Sequence, residues 1–111
     1  MTVEEMAKSL GCSVASGGSA LGREVTAGYC GDLLSWVMGR AASGSAWVTV
    51  MGNRNAVAVA VLADIACIIL AEGSKLDADA KEKALENGVA VLESDRPAFE
   101  LATRVGKCLE Q

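Results

Sequence analysis

From Ala46 to the end of the chain, short apolar runs alternate with helical patterns three times. No other feature restricts the fold as strongly. Ala46–Met51 is rich in β-branched and aromatic residues and reads as a strand. Cys67–Leu70 and Val89–Leu92 are apolar throughout, as strands covered on both faces are. Between and after them lie three helical segments, Ala56–Ala66, Ala78–Asn87 and one beginning near Ala98. Strands joined through helices pair in parallel by right-handed crossovers. The expected fold is therefore α/β: three layers, α/β/α, around a mostly parallel or mixed central sheet. With 111 residues, one domain over residues 1–111 is expected.

Local signals fill in the N-terminal half. Thr2-Val3-Glu4-Glu5 has the form of a capping box, with Thr2 and Glu5 each satisfying the other's backbone amide. Val3, Met6, Ala7 and Leu10 then fall on one helical face, and Gly11 ends the helix. Cys12–Ser16 and Val25–Cys30 are strand candidates around a Gly17-Gly18 turn. Asp32 is placed to cap a helix with a wide apolar stripe of Leu33, Leu34, Val37, Met38 and Ala41, widened further by Trp36. Asp77 is placed to cap the helix that Gly88 closes, and Ser94-Asp95 the last one, with Pro97 in its first turn. Ala98, Leu101, Ala102, Val105 and Cys108 give that last helix its buried face.

Ala56–Val61 alternates Ala and Val, but both are apolar, so the alternation is not an inside–outside pattern, and the run continues to Ala66. Its length and alanine content favour a helix. A helix apolar nearly all round needs cover on both sides. In a chain this small a second copy can supply it, so a homodimer is expected, with Val57, Val61 and Asp64 at the interface. Asp64, the odd charge, either faces water near the helix end or pairs across that interface.

Several function classes are disfavoured. The chain has no histidine, the commonest general base and zinc ligand. Its four cysteines, Cys12, Cys30, Cys67 and Cys108, include no CxxC pair, so neither a metal nor a cofactor is expected. The net charge of −4 argues against nucleic acid and anionic membrane surfaces as partners. The opening Met-Thr-Val-Glu-Glu has neither a basic n-region nor an apolar h-region, so no signal peptide is expected, and no apolar run is long enough to span a bilayer. The expectation is a cytoplasmic, non-enzymatic protein with reduced thiols. Gly73-Ser74-Lys75 lacks the first glycine and the Gly-Lys order of a phosphate loop.

In open α/β sheets, ligands bind beyond the carboxyl ends of strands, near helix N-termini. Three loops qualify: Gly52-Asn53-Arg54-Asn55, Glu72-Gly73-Ser74-Lys75 and Glu93-Ser94-Asp95-Arg96, each with one cation. Free helix amides beside a cation suit a phosphate or carboxylate; the alternative is ordinary capping with solvated cations.

Gly22-Arg23-Glu24-Val25-Thr26-Ala27-Gly28-Tyr29, followed by Asp32-Leu33-Leu34-Ser35-Trp36-Val37-Met38, resembles the signature of the DRTGG domain. Gly22 stands where the name motif has Asp, and Ala27 where it has the first of two glycines. The later segments follow in the same order, so the resemblance covers essentially the whole chain. It implies a fold like the N-terminal domain of HPr kinase/phosphorylase. It also implies an accessory module without catalytic residues, of the kind found beside CBS domains in some pyrophosphatases and associated with regulation or subunit contacts. Stand-alone copies resemble proteins encoded near iron-only hydrogenases. An iron–sulfur or redox accessory role is therefore the alternative, although it needs cysteines from separate elements or from two subunits to converge. The expected function is a homodimeric regulatory or interaction module that senses a small anionic metabolite. Its candidate ligand residues are Thr26, Asp32, Asn53, Arg54, Ser94 and Asp95.

Overall fold

The computed structural model describes residues 1–110. The elements run α1 (Val3–Leu10), β1 (Ser13–Ser16), a 3₁₀ turn (Gly18–Gly22), β2 (Ala27–Cys30), α2 (Leu34–Arg40), β3 (Ser45–Thr49), α3 (Arg54–Leu62), β4 (Cys67–Leu70), α4 (Ala78–Asn87), β5 (Ala90–Glu93) and α5 (Ala98–Leu109). The strand order is β1-β5-β4-β3-β2. The strands β2 to β5 pair in parallel, and β1 adds an antiparallel edge to β5. The sheet is thus mixed, with helices on both sides, as the alternation of segments predicts.

Because β2 to β5 advance across the sheet in one direction, right-handed crossovers place α2, α3 and α4 on the same face. There Val37, Val57, Ala60, Ala80 and Ala84 pack against Trp47, Ile68, Leu70 and Val91. The other face is covered by α1 and α5, whose Val3, Met6, Leu10, Leu101 and Val105 meet Ala46, Val48, Cys67, Ile69 and Leu92. Successive strand residues therefore alternate between two apolar cores. The capping box of α1 is formed, with the Glu5 amide donating to Thr2 Oγ1 at 3.2 Å and the Thr2 amide to Glu5 Oε1 at 2.8 Å. Gly11 and Gly88 close α1 and α4 in the left-handed conformation, at φ 69° and 66°.

Four local expectations change. Helix α3 ends at Leu62, short of Ala66, because Asp64 adopts a left-handed conformation at φ 57°. Its side chain binds Arg23 and Ser43 within the chain. Val57 is fully buried by the chain's own core, whereas Val61 and Leu62 remain exposed. The apolar stripe of α2 is buried only in part: Val37 is fully covered and Leu34 and Ala41 pack partly against the core, whereas Leu33, Trp36 and Met38 face outward, Arg40 lying 3.9 Å over the Trp36 ring. The reason is position: α2 crosses from the edge strand β2 to β3 and has only α3 beside it. Finally, Asp32, Asp77, Ser94 and Asp95 do not cap the helices they precede; the N-cap position of α2 is Leu33, and no side-chain cap is made at α2, α4 or α5 by the residue there. Among the described residues no helix is long and apolar enough to cross a membrane.

Candidate functional site

The loops that follow β2, β3, β4 and β5 meet at the carboxyl rim of the sheet, and they are laced together. The Glu72 amide donates to Arg96 O at 2.8 Å and the Gly73 amide to Ser94 O at 3.0 Å. The Glu72 carboxylate returns across the same junction and accepts the Ala98 amide at 2.8 Å. It therefore caps α5 from a loop 26 residues away, in place of Ser94 and Asp95. Ser94 Oγ instead accepts the Arg96 amide. Glu93, half-buried at the end of β5, accepts the Leu76 amide at 2.8 Å and faces Lys75 at 3.9 Å. The Ser74 hydroxyl donates to Val50 O, and the Asp77 amide to Gly52 O. Gly52 is required at this crossing: a Cβ there would stand 2.3 Å from Lys75 O.

Asp32 belongs to the same lacing. Its Oδ1 accepts the Thr49 hydroxyl at 2.7 Å and the Val50 amide at 3.0 Å, tying the end of β2 to the end of β3. Trp47 adds a partly buried bond from its indole N–H to Gly31 O at 2.8 Å. Asn53 caps α3, its Oδ1 accepting the Ala56 amide at 2.9 Å. Carboxylates of the chain itself thus occupy amide positions that an external anion could take. The rim also carries three cations beside exposed carboxylates: Arg54, 4.0 Å from Asp79, and Lys75 are exposed, Arg96 is partly exposed and pairs with Glu100 at 2.7 Å, and Asp77 and Asp79 face outward as well. Asp95 is exposed beside Gly73.

Of the sequence-derived candidates, Asp32, Asn53, Arg54, Ser94 and Asp95 come to this rim, and Thr26 does not. Thr26 precedes β2 and lies at the opposite, amino rim, roughly 13 Å of strand away. There the signature residues form a second lattice. The Arg23 guanidinium reaches Asp64 Oδ1 at 2.9 Å, Asp64 O at 2.9 Å and Ile65 O at 3.4 Å. The Ser43 hydroxyl donates to the other Asp64 oxygen. These two contacts, Ser43 first and then Arg23, hold the Asp64 carboxyl below its ordinary value. The Thr26 amide donates to Gly44 O at 3.0 Å, and Gly44 has φ 82° with no room for a Cβ, which would fall 2.4 Å from Thr26 Oγ1. Gly28 lets α5 close on β2, since a Cβ there would stand 3.2 Å from Val105 Cγ1. The signature residues Arg23, Thr26 and Gly28 therefore shape the fold.

Sequence reasoning missed Glu72, Glu93 and Arg23 as organisers. The available signal was Glu72-Gly73 after a buried strand, where a tight left-handed turn is expected; Glu72 and Gly73 have φ 59° and 77°. The cysteines are all free: Cys67 is buried in β4, Cys30 is exposed at the end of β2, and Cys12 and Cys108 are intermediate. Burial pushes the Cys67 thiol up to about 12. Among the described residues, no group of three or more Cys, Asp or Glu is arranged to hold a metal ion.

Among solved structures, the chain is similar to the CBS and DRTGG domains of the regulatory region of Clostridium perfringens pyrophosphatase, complexed with activator, diadenosine tetraphosphate. The TM-score is 0.70 at 11% identity, covering 94% of this chain and 45% of that one. The likeness establishes a shared fold, and this chain spans less than half of that chain's length. No curated protein matches it. The DRTGG domain model matches residues 5–108, nearly the full length, and the chain belongs to the DRTGG domain family.

Proposed function

We propose that this chain is a cytoplasmic regulatory or interaction module without catalysis of its own, acting as a homodimer and sensing a small anionic metabolite. One observation carries the ligand part. Three loops, after β3, β4 and β5, each bring one cation to the same rim: Arg54, Lys75 and Arg96. The carboxylates Asp32, Glu72 and Glu93 are meanwhile turned onto backbone amides of the chain. An anion arriving at this rim meets Arg54 and Arg96, whose pairings with Asp79 and Glu100 are exposed, and exposed pairings are weak. The structural neighbour, of which this chain covers 45%, is complexed with an activator, diadenosine tetraphosphate, a polyanion of the class this reading calls for. The likeness to the N-terminal domain of HPr kinase/phosphorylase belongs to the same proposal.

The test is a thermal-shift screen of nucleotides, diadenosine tetraphosphate, acyl phosphates and organic acids. A ligand at about 100 times its Kd stabilises by roughly 2.7 kcal/mol. The response is expected to vanish in the Arg54→Ala, Lys75→Ala double variant. No shift with any compound overturns the sensing role.

A further inference from the structure

Helix α5 carries both a knob and a hole on its outer flank. The knob is Phe99, 84% exposed, the most exposed large apolar side chain among the described residues. The hole is a groove between α5 and the edge strand β2, about 250 Å³ in volume, whose lining includes Gly28, Ala46, Val48, Ala102, Gly106 and Leu109. Small residues at Gly28, Ala46, Ala102 and Gly106 open it. A cavity of about 150 Å³ already accommodates a benzene ring, so a phenyl group fits with room for its approach. Ala102 and Gly106 follow Phe99 by three and seven residues, on the same side of the helix.

We infer that a second copy of this chain docks here, through antiparallel pairing of two α5 helices that seats Phe99 of each copy in the α5–β2 groove of the other. A two-fold axis beside Ala102 makes the arrangement self-complementary, as an isologous interface requires. Charge agrees with this register. Antiparallel pairing sets Lys107 near the other copy's Asp95; both are exposed, and neither forms an ion pair among the described residues. Opposed helix dipoles add to the match. The open edge of β2, which pairs only with β3, lies beside the groove and is shielded in the dimer, as exposed strand edges in soluble proteins generally are. Each ring buries about 150–250 Å², which places the contact at the small, reversible end of protein interfaces.

The inference rests on the homodimer proposed above and places it on α5, away from Val57, Val61 and Asp64. Sedimentation velocity of the full chain from micromolar to near-millimolar concentration tests it. The wild type is expected to show a concentration-dependent dimer. Phe99→Ala and Gly106→Leu are each expected to weaken it about tenfold or more. A Cβ at Gly106 meets no atom within 4 Å, so Gly106→Leu fills the groove while the fold, checked by circular dichroism, persists. Lys107→Asp weakens association, and adding Asp95→Lys restores it. A dimer indifferent to all of these variants overturns the α5 interface and leaves the homodimer standing. A wild type that stays monomeric at every concentration overturns both.

Discussion

The Arg23 guanidinium stands 2.9 Å from the Asp64 carboxylate and 2.9 Å from the Asp64 carbonyl, joining residues 41 apart in sequence. One side chain thus fastens the segment before β2 to the turn after α3, and a third contact reaches Ile65 O. The fork of the guanidinium is what allows several acceptors at once. Arg23→Ala is therefore expected to lower Tm more than Asp64→Asn, which leaves both carbonyl contacts in place. Arg23→Lys should fall near Arg23→Ala. Thermal melts of the three variants check the order; equal losses for Arg23→Ala and Asp64→Asn contradict it.

The same carboxylate gives the protein an acid-sensitive contribution. Asp64 is held below its ordinary value of 3.8 in the folded chain, by Ser43 first and Arg23 second. A depressed carboxylate stabilises above its unfolded value, and the contribution disappears as pH falls through the folded one. The stability gap between wild type and Asp64→Asn should be full near neutrality and close below about pH 4. The N-terminal amine behaves oppositely: its hydrogen bond to Glu24 raises it above 8.0. The gap to Glu24→Gln should therefore be full below pH 8 and close as pH rises further. Denaturant titrations across pH read both.

Glu72 combines a backbone cost with a capping gain. A non-glycine residue at φ 59° is strained, yet its carboxylate caps α5 at Ala98. Glu72→Ala keeps the strain and loses the cap, and is expected to cost about 0.5–2 kcal/mol. Glu72→Gly loses the cap but relieves the strain, so it should be the milder change. Urea unfolding of the pair decides; Gly as harmful as Ala would show that the turn carries no strain.

Gly52 offers a test of the rim lacing. A methyl group there would press on the backbone carbonyl of Lys75 at 2.3 Å, and no side-chain rotation relieves it. Gly52→Ala should cost roughly 1–3 kcal/mol and should also blunt any ligand response of Arg54 and Lys75, because it parts the loops that carry them. Gly106→Ala, with open space around its Cβ position, should be neutral or stabilising by up to about 1 kcal/mol.

The thiols should separate by reactivity. Cys67 is fully buried, and its thiol is pushed up to about 12, while Cys30 is exposed. The thiolate is the reactive form. With a disulfide reagent at neutral pH, Cys30 should modify in the native protein and Cys67 only after unfolding. Mass mapping of the modified sites checks this.

How much of this was legible depends on the range of each interaction. The Thr2–Glu5 box, the left-handed Gly11 and Gly88, and the apolar runs at Cys67–Leu70 and Val89–Leu92 are set by neighbours within a few residues. Helix α3 shows the limit. Its run of mostly apolar residues continues past Leu62 to Ala66, but contacts from Arg23 and Ser43 draw Asp64 out of the helix. The candidate rim was legible as three loops with one cation each. The carboxylates that knit those loops together were not, because nothing adjacent to Glu72 names Ala98, and nothing adjacent to Asp32 names Val50.

The sequence by itself determined the alternation of strands and helices, the parallel crossovers and the two apolar faces of the sheet, since periodicity and chirality act locally. Only the tertiary structure decided where the charges go. The strand order β1-β5-β4-β3-β2 brings distant loops side by side, and a charged group then settles on whichever unpaired amide or carbonyl that juxtaposition presents. In this chain that choice made Arg23, Glu72 and Asp32 into fastenings and left Arg54, Lys75 and Phe99 facing outward.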